Sequence, residues 1–173
     1  MVVSESLPGS IDLGPPVTVE GTETFDLDAD TVADFDVRTE SVTVVCASGN
    51  RHTADWTGVA MVDLLEAAGV PQSTTHVIVE SLDEYRVAIP VREAIDGLLA
   101  FVKDGEPIGA THEYANRFVS PATEGARDIK GVSRIEHTTL RPEEDPEALE
   151  NLFPDGERFT ANRFAEDEAD QTQ

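Results

Sequence analysis

The chain has 173 residues, 35 of them acidic and 12 basic, and a formal net charge of −23. This length suits a single domain that buries roughly 70% of the surface its unfolded form exposes, and so large a negative charge argues against nucleic acids and anionic membranes as general partners. No run of about 18 apolar residues predicts a membrane-spanning helix, and the first ten residues lack the basic start and apolar stretch of a secretory signal, so we expect a cytoplasmic protein.

The basic residues are ten arginines but only two lysines, Lys103 and Lys130. Acid-rich, lysine-poor surfaces suit proteins that stay soluble in concentrated salt, where the Debye length falls to about 3 Å at 1 M and self-repulsion is screened. The composition therefore favours a halophilic protein from a high-salt cytoplasm. An ordinary acidic protein is the alternative.

Apolar and β-branched runs predict three strands in the first third of the chain, at residues 17–19, 24–27 and 37–46. Asp28 or Asp30 is expected to cap a short helix between the second and third of these strands. The polar stretch 47–52 that follows predicts a loop. Beyond it, apolar residues recur at helical spacing over residues 59–68 and stop at Gly69, which predicts a helix.

Two further strands, 76–80 and 85–89, are predicted on either side of a turn. Pro90 is expected to open a short helix, since proline suits the first helical turn. The remaining predicted strands are 98–102, 117–119 and 132–140. Because strands and short helices alternate irregularly, an α+β fold is favoured over a doubly wound one. Residues 1–140 are expected to form this domain, and residues 141–173 an acidic, partly disordered C-terminal extension.

Cys46 is the only cysteine, and it ends the predicted strand that leads into the polar loop. It cannot form a disulfide within the chain, so three roles remain: a metal thiolate, a nucleophile or an inert buried thiol. A nucleophilic thiol needs an activating base, and His52 and His112 are the candidates for that base.

Five basic residues fall within 23 positions of an otherwise acidic chain: His112, Arg117, Arg127, Lys130 and Arg134. One explanation is a set of surface ion pairs with nearby carboxylates, each contributing little to stability. The other is a bound anion, because guanidinium, ammonium and imidazole groups together suit a phosphate. The residue types alone leave both explanations open.

Four segments carry a more specific pattern. Residues 46–51 place a cysteine, a glycine, an asparagine and an arginine in one loop, and residues 56–70 continue with tryptophan, glycine, valine and an amphipathic helix. Residues 112–121 hold a histidine and an arginine five positions apart, and residues 125–135 run glycine-alanine-arginine, then lysine, then arginine with a hydrophobic residue. In this order, over about residues 17–140, the segments resemble the sulfite oxidase family of molybdopterin-dependent oxidoreductases.

The resemblance implies a mixed, barrel-like α+β core with short helices, and a molybdopterin cofactor that carries molybdenum. It implies that Cys46 is the metal ligand, since a soft thiolate suits this metal. Arg51 is the implied catalytic residue, directing a polar or anionic substrate toward the metal. The implied contacts to the pterin and its phosphate are Gly49, Asn50, His112, Arg117, Arg127 and Lys130.

The implied activity is oxygen-atom transfer to or from a small polar or anionic molecule, with the protein supplying orientation and electrostatics. An electron-transfer protein, or a partner that completes the cofactor site, is a further expectation from the resemblance. The alternative is a non-catalytic binding or assembly module that keeps the fold without the metal cofactor. Cys46 argues against that alternative, because a buried thiol without a role is readily replaced by alanine or valine.

Overall fold

The computed structural model describes residues 11–45, 50–121 and 129–151. Their backbone forms ten strands, two short α-helices and three 3-10 helices. The α-helices are α1, Met61–Ala67, and α2, Val91–Ala94. The 3-10 helices are Val32–Asp34, Ile108–Ala110 and Pro146–Leu149. The strands are β1 (Val17–Val19), β2 (Phe25–Leu27), β3 (Val37–Val45), β4 (Arg51–Ala60), β5 (His76–Ser81), β6 (Arg86–Pro90), β7 (Leu98–Lys103), β8 (Glu106–Pro107), β9 (Arg117–Val119) and β10 (Val132–Thr138).

The first sheet contains five strands in the order β2-β1-β10-β5-β6. β1 runs parallel to β10, and the other neighbouring strands are antiparallel. A parallel pair needs a long crossover connection, and here the entire second sheet lies between β1 and β10 in the sequence. Pairing of these two strands therefore joins the two ends of the domain.

The second sheet has the strand order β3-β4-β7-β8, and β9 also pairs with β7. All of its pairs are antiparallel. β3 and β4 pair along their whole length, from Val37 opposite Val59 to Val45 opposite Arg51. The last of these pairs anchors the chain on both sides of residues 46–50, the segment that begins with Cys46.

β7 is buried on both faces, and its residues divide between two apolar clusters. Leu99 and Phe101 join the main cluster, which is built from both sheets and α1. Leu98 and Ala100 join a second cluster on the other face of the strand. This follows from the two-residue period of a strand, which sends successive side chains to opposite faces. The other members of the second cluster are Val42, Val44, Ala54, Trp56, Ile108, Tyr114 and Val119.

The mixed α+β fold is confirmed, and the described strands form two open sheets and not a closed barrel. The prediction of a loop over residues 47–52 is wrong at its C-terminal end, because β4 begins at Arg51 and continues for ten residues. This strand alternates exposed polar residues such as Asp55 with buried residues such as Ala54. Neither residue type favours a strand by itself, so pairing with β3 and β7 decides the conformation.

The segment Pro146–Asn151 lies along the outer edge of β6. Asn151 and Arg86 exchange two backbone hydrogen bonds, with N···O distances of 2.9 and 3.0 Å. The Ala88 N–H donates to a carboxylate oxygen of Glu150 at 2.9 Å. Because an unpaired strand edge is a template for association with other chains, this segment covers backbone groups that would otherwise invite aggregation.

The Asn151 Nδ2 also donates to the Glu84 carbonyl at 2.9 Å. Truncation after Leu140 is expected to lower the free energy of unfolding by about 2–6 kcal/mol, the sum for these four hydrogen bonds at about 0.5–1.5 kcal/mol each. The control is truncation after Asn151, which keeps all four bonds and is expected to match the full chain. Urea unfolding of both proteins provides the measurement. Equal stability of the two truncated proteins would show that the segment is dispensable.

Candidate functional site

Arg117 and Lys130 come from two separate parts of the chain and lie opposite each other in an isolated antiparallel β-bridge. The Phe118 N–H donates to the Ile129 carbonyl at 2.8 Å, and the Gly131 N–H donates to the Asn116 carbonyl at 2.9 Å. Each of the two basic residues is only 8% exposed. Charged residues are seldom buried to this degree, so two such cations next to each other mark this region as a candidate site.

Asn116 holds the two strands of this pair together. Its side-chain Oδ1 accepts from the Val132 N–H at 2.7 Å, and its Nδ2 donates to the Val132 carbonyl at 3.1 Å. Gly131, which lies between Lys130 and Val132 in the sequence, has φ +67°, a left-handed conformation that glycine adopts without a steric penalty. The buried amide and the glycine together fix the course of the backbone that carries Lys130.

Trp56 is the central aromatic residue of the region and is almost fully buried in the second cluster. Its indole Nε1 donates to the Val42 carbonyl at 3.4 Å. Lys103 Nζ lies over the indole at 5.4 Å from the ring centroid, and Arg117 Cζ lies at 5.7 Å. Both distances are within the range of a cation–π interaction. Trp56 is thus a buried ring of the second cluster that also positions two cations.

The contact between Lys103 and Trp56 follows from strand register. The two residues are direct partners across β4 and β7, so their side chains leave the sheet on the same face. A register irregularity between Thr57 and Gly58 follows this pair. The sheet thus brings Lys103 to the pair formed by Arg117 and Lys130.

His52 joins the same face of β4, four residues before Trp56. The imidazole and indole centroids are 6.3 Å apart, and the imidazole Nε2 is shielded from solvent without a hydrogen-bond partner among the described residues. Burial lowers the pKa of His52, and the positive charges of Lys103, Arg117 and Lys130 lower it further, while Asp104 opposes them. The lowered pKa favours the neutral form of the imidazole.

His112 lies just after the 3-10 helix Ile108–Ala110. Its Nδ1 is 3.3 Å from the Ile108 carbonyl and 2.9 Å from the Thr111 hydroxyl. Its ring stacks at an angle on Tyr114, with centroids 4.9 Å apart, and Tyr114 belongs to the same cluster as Trp56. These contacts fix the orientation of the ring beside the second cluster.

Asn50 and Arg51 are exposed at the beginning of β4. Arg51 pairs with Val45, and strand alternation directs its side chain to the face opposite His52 and Trp56. The structure thus separates the predicted catalytic arginine from the cations around Trp56. Cys46, Gly49 and Arg127, the other predicted site residues, lie outside the described residues.

Two residues of this region, His52 and Lys103, were not among the cofactor contacts expected from the sequence. Lys103 has one visible signal, since it is one of only two lysines in the chain. Its position beside Trp56 depends on a strand pairing between residues 47 positions apart. Among the described residues, no group of three or more His, Cys, Asp or Glu side chains is placed to hold a metal ion.

Residues 16–145 match the sequence model of the oxidoreductase molybdopterin binding domain family. The chain is 36% identical over 99 residues to mitochondrial sulfite oxidase of Drosophila melanogaster, covering 51% of this chain and 17% of that protein. It is 28% identical over 159 residues to human mitochondrial sulfite oxidase, covering 74% of this chain and 29% of that protein.

The structure is similar to the crystal structure of the sulfane dehydrogenase SoxCD from Paracoccus pantotrophus, with a TM-score of 0.67 and 22% identity. The match covers 88% of this chain and 45% of that one, and it supports the fold. Compared with the two sulfite oxidases, the chain spans less than a third of their length. No helix in the described ranges is long and apolar enough to cross a membrane. Because the family match extends over most of the sequence, this chain belongs to the oxidoreductase molybdopterin binding domain family.

Proposed function

We propose that this protein is a molybdenum-pterin oxidoreductase of the sulfite oxidase type, which transfers an oxygen atom to or from a small polar or anionic substrate. The observation that carries the proposal is the bridged pair of Arg117 and Lys130, two cations each only 8% exposed, inside a chain of net charge −23. A guanidinium and an ammonium group that are held next to each other can bind the oxygens of one phosphate group together. A phosphate-bearing cofactor suits such a pair.

The residues of this region fit a molybdopterin by their chemistry. Guanidinium and ammonium groups are the usual partners of phosphate oxygens, and an imidazole adds a further hydrogen-bonding group. When bound, the molybdenum-pterin group supplies two-electron oxygen-atom chemistry that no protein side chain provides. Cys46 would hold the metal through its thiolate. The residues proposed to hold the pterin and its phosphate are Gly49, Asn50, His112, Arg117, Arg127 and Lys130.

The protein's own residues would supply binding and orientation. Asn116 and Gly131 keep Lys130 beside Arg117, so the phosphate would meet a preformed pair of charges. Preformed sites bind more tightly because less conformational freedom is lost on binding. Arg51, exposed at the start of β4, is proposed to direct a polar or anionic substrate toward the loop that contains Cys46.

The setting of the protein is also a proposal. The net charge of −23 and the two lysines support a high-salt cytoplasm. An electron-transfer protein, or one that completes the cofactor site, is proposed as a partner, because two-electron chemistry requires a route for electrons. The domain is proposed to end near residue 140, with residues 141–173 as an acidic extension whose residues 146–151 lie against β6.

The test measures cofactor loading after expression in a host that makes the pterin. Wild-type protein is expected to contain about one molybdenum per chain by elemental analysis and to show thiolate-to-metal absorption, which Cys46→Ala should lack. Lys130→Gln is expected to lower the molybdenum content about tenfold at limiting cofactor, since it removes one charge-assisted contact to the phosphate. Arg92→Gln is the matched control, because this exposed arginine on α2 carries the same charge.

Two results would contradict the proposal. Metal-free wild-type protein from that host would favour the non-catalytic binding or assembly module. Equal molybdenum content in Lys130→Gln and Arg92→Gln would mean that the buried cation pair is not part of the cofactor site. Circular dichroism of each variant excludes unfolding as the cause of lost metal.

A further inference from the structure

Glu20 and Glu136 place two carboxyl groups at the seam between β1 and β10, the parallel pair that joins the two ends of the domain. Glu20 follows β1 directly, and its N–H donates to the Ile135 carbonyl at 2.8 Å. The Glu20 carboxyl lies within hydrogen-bonding reach of the Glu136 carboxyl. Two carboxylates this close repel each other when both are ionised. A like-charge contact therefore opposes the strand pairing that closes the domain.

One guanidinium group serves both carboxyl groups. Arg134 Nη1 donates to Glu20 Oε2 and lies 3.5 Å from Glu136 Oε1. The contact with Glu20 raises the pKa of Arg134, so the guanidinium stays charged throughout the working pH range. A single positive charge balances only one of two ionised carboxylates. When both are ionised, the cluster of Glu20, Arg134 and Glu136 keeps an excess of negative charge.

Glu136 is the member of this cluster that gains a proton first. It lies opposite Ile78 of β5, which is only 5% exposed, so apolar surface limits its access to water. Burial is the largest cause that raises the pKa of Glu136, followed by its hydrogen bond with Glu20 and the charge of Glu20, while Arg86 and Arg134 oppose the rise. The other charged or titratable residues on this part of the sheet are Glu80, His76 and Glu150.

We propose that Glu20 and Glu136 share one proton in mildly acidic solution, and that this proton strengthens the seam between β1 and β10. The proton comes from water. The carboxyl O–H of Glu136 then donates to a carboxylate oxygen of Glu20, which keeps its negative charge for Arg134. A charge-assisted hydrogen bond thus replaces a repulsion.

The sign of the pH dependence follows from the direction of the shift. The folded-state pKa of Glu136 is raised above its ordinary value of 4.5, so the folded protein binds this proton before the unfolded chain does. The stabilisation is absent above the raised pKa. It appears as the pH falls through that pKa, and it is complete below 4.5. Mild acid therefore closes the domain more firmly at this seam.

Hydrogen exchange of the Glu20 amide tests the seam in the full chain without cofactor, because this N–H bonds across it to Ile135. Its protection factor, which corrects for the intrinsic exchange rate, is compared at about pH 7.5 and about pH 5. In the wild type we expect a rise of about threefold on acidification, as one partly exposed charge contact would give. In Glu136→Gln, which keeps the shape and removes the charge, protection is expected to be high at both pH values and the rise lost.

Glu66→Gln is the matched control, because it removes the same charge from an exposed position on α1, and it should keep the wild-type rise. Arg134→Gln is expected to enlarge the rise, since both carboxylates lose the cation between them. Glu20→Gln should lose the rise as Glu136→Gln does, so either variant can supply the result if the other does not fold. Amide spectra of each variant verify the fold.

Three results would overturn the proposal. One is a wild-type protection factor that does not rise on acidification. Another is an equal rise in the wild type and Glu136→Gln, which would assign the effect to the negative charge of the whole molecule. The third is a rise in Arg134→Gln that is no larger than in the wild type, which would mean that the guanidinium does not balance the two carboxylates.

Discussion

Replacing Gly58 by alanine is expected to lower the free energy of unfolding by about 3 kcal/mol or more, at the upper end of the range for overpacked interiors. A Cβ atom at this position would lie 2.0 Å from the Leu99 carbonyl oxygen and 2.7 Å from the Ala100 Cα. Both atoms belong to the backbone of β7, which cannot rotate away as a side chain can. The substitution must therefore open the pairing between β4 and β7.

Gly109→Ala is the control for the Gly58 prediction. Its Cβ would meet the Ala115 Cβ at 3.3 Å and backbone atoms at longer distances, so a small shift accommodates it. Urea unfolding monitored by tryptophan fluorescence compares the two variants. A Gly58→Ala protein as stable as Gly109→Ala would mean that β4 and β7 pack less closely than described.

Replacing Trp56 by alanine is expected to cost about 3–5 kcal/mol of folding free energy, the usual range for removing a buried large aromatic side chain. The ring is 1% exposed and fills the centre of the second cluster. Its removal leaves a cavity and also withdraws the surface on which Lys103 and Arg117 rest. Chemical denaturation measures the loss of stability.

Trp56→Phe separates the two roles of the indole. Phenylalanine keeps most of the apolar volume but removes the Nε1 hydrogen bond to the Val42 carbonyl and offers a weaker cation–π surface. This variant is expected to be more stable than Trp56→Ala and less stable than the wild type. If Trp56→Phe is as stable as the wild type, the Nε1 hydrogen bond and the cation contacts add little to the packing of the ring.

Most strands were predictable because their apolar residues form local patterns. β4 was not, because its outward residues are polar and its inward residues include Ala54 and His52, so no apolar run marks it. The prediction therefore placed Arg51 and His52 in a loop, although both belong to a strand. In a loop neither side chain has a fixed direction, whereas in β4 alternation sends the two to opposite faces.

The candidate site was only partly predictable from the sequence. Arg117 and Lys130 belong to segments that resemble a known family, and their spacing along the chain is short. The bridge between them depends on Asn116, whose two bonds to Val132 have no local sequence signal. The position of Lys103 beside Trp56 depends on the register between β4 and β7. Packing determines that register between residues that are far apart in the sequence.

An anion that approaches this protein meets two opposing fields. The whole molecule, at a net charge of −23, repels the anion from a distance, while the cations around Trp56 attract it once it is near. Added salt shortens the Debye length from about 10 Å at 0.1 M to about 3 Å at 1 M, and it screens exposed charges more than buried ones. Concentrated salt therefore weakens the long-range repulsion more than the local attraction, and the protein should bind the anion faster. Association between oppositely charged partners shows the opposite behaviour, because it becomes slower as ionic strength rises.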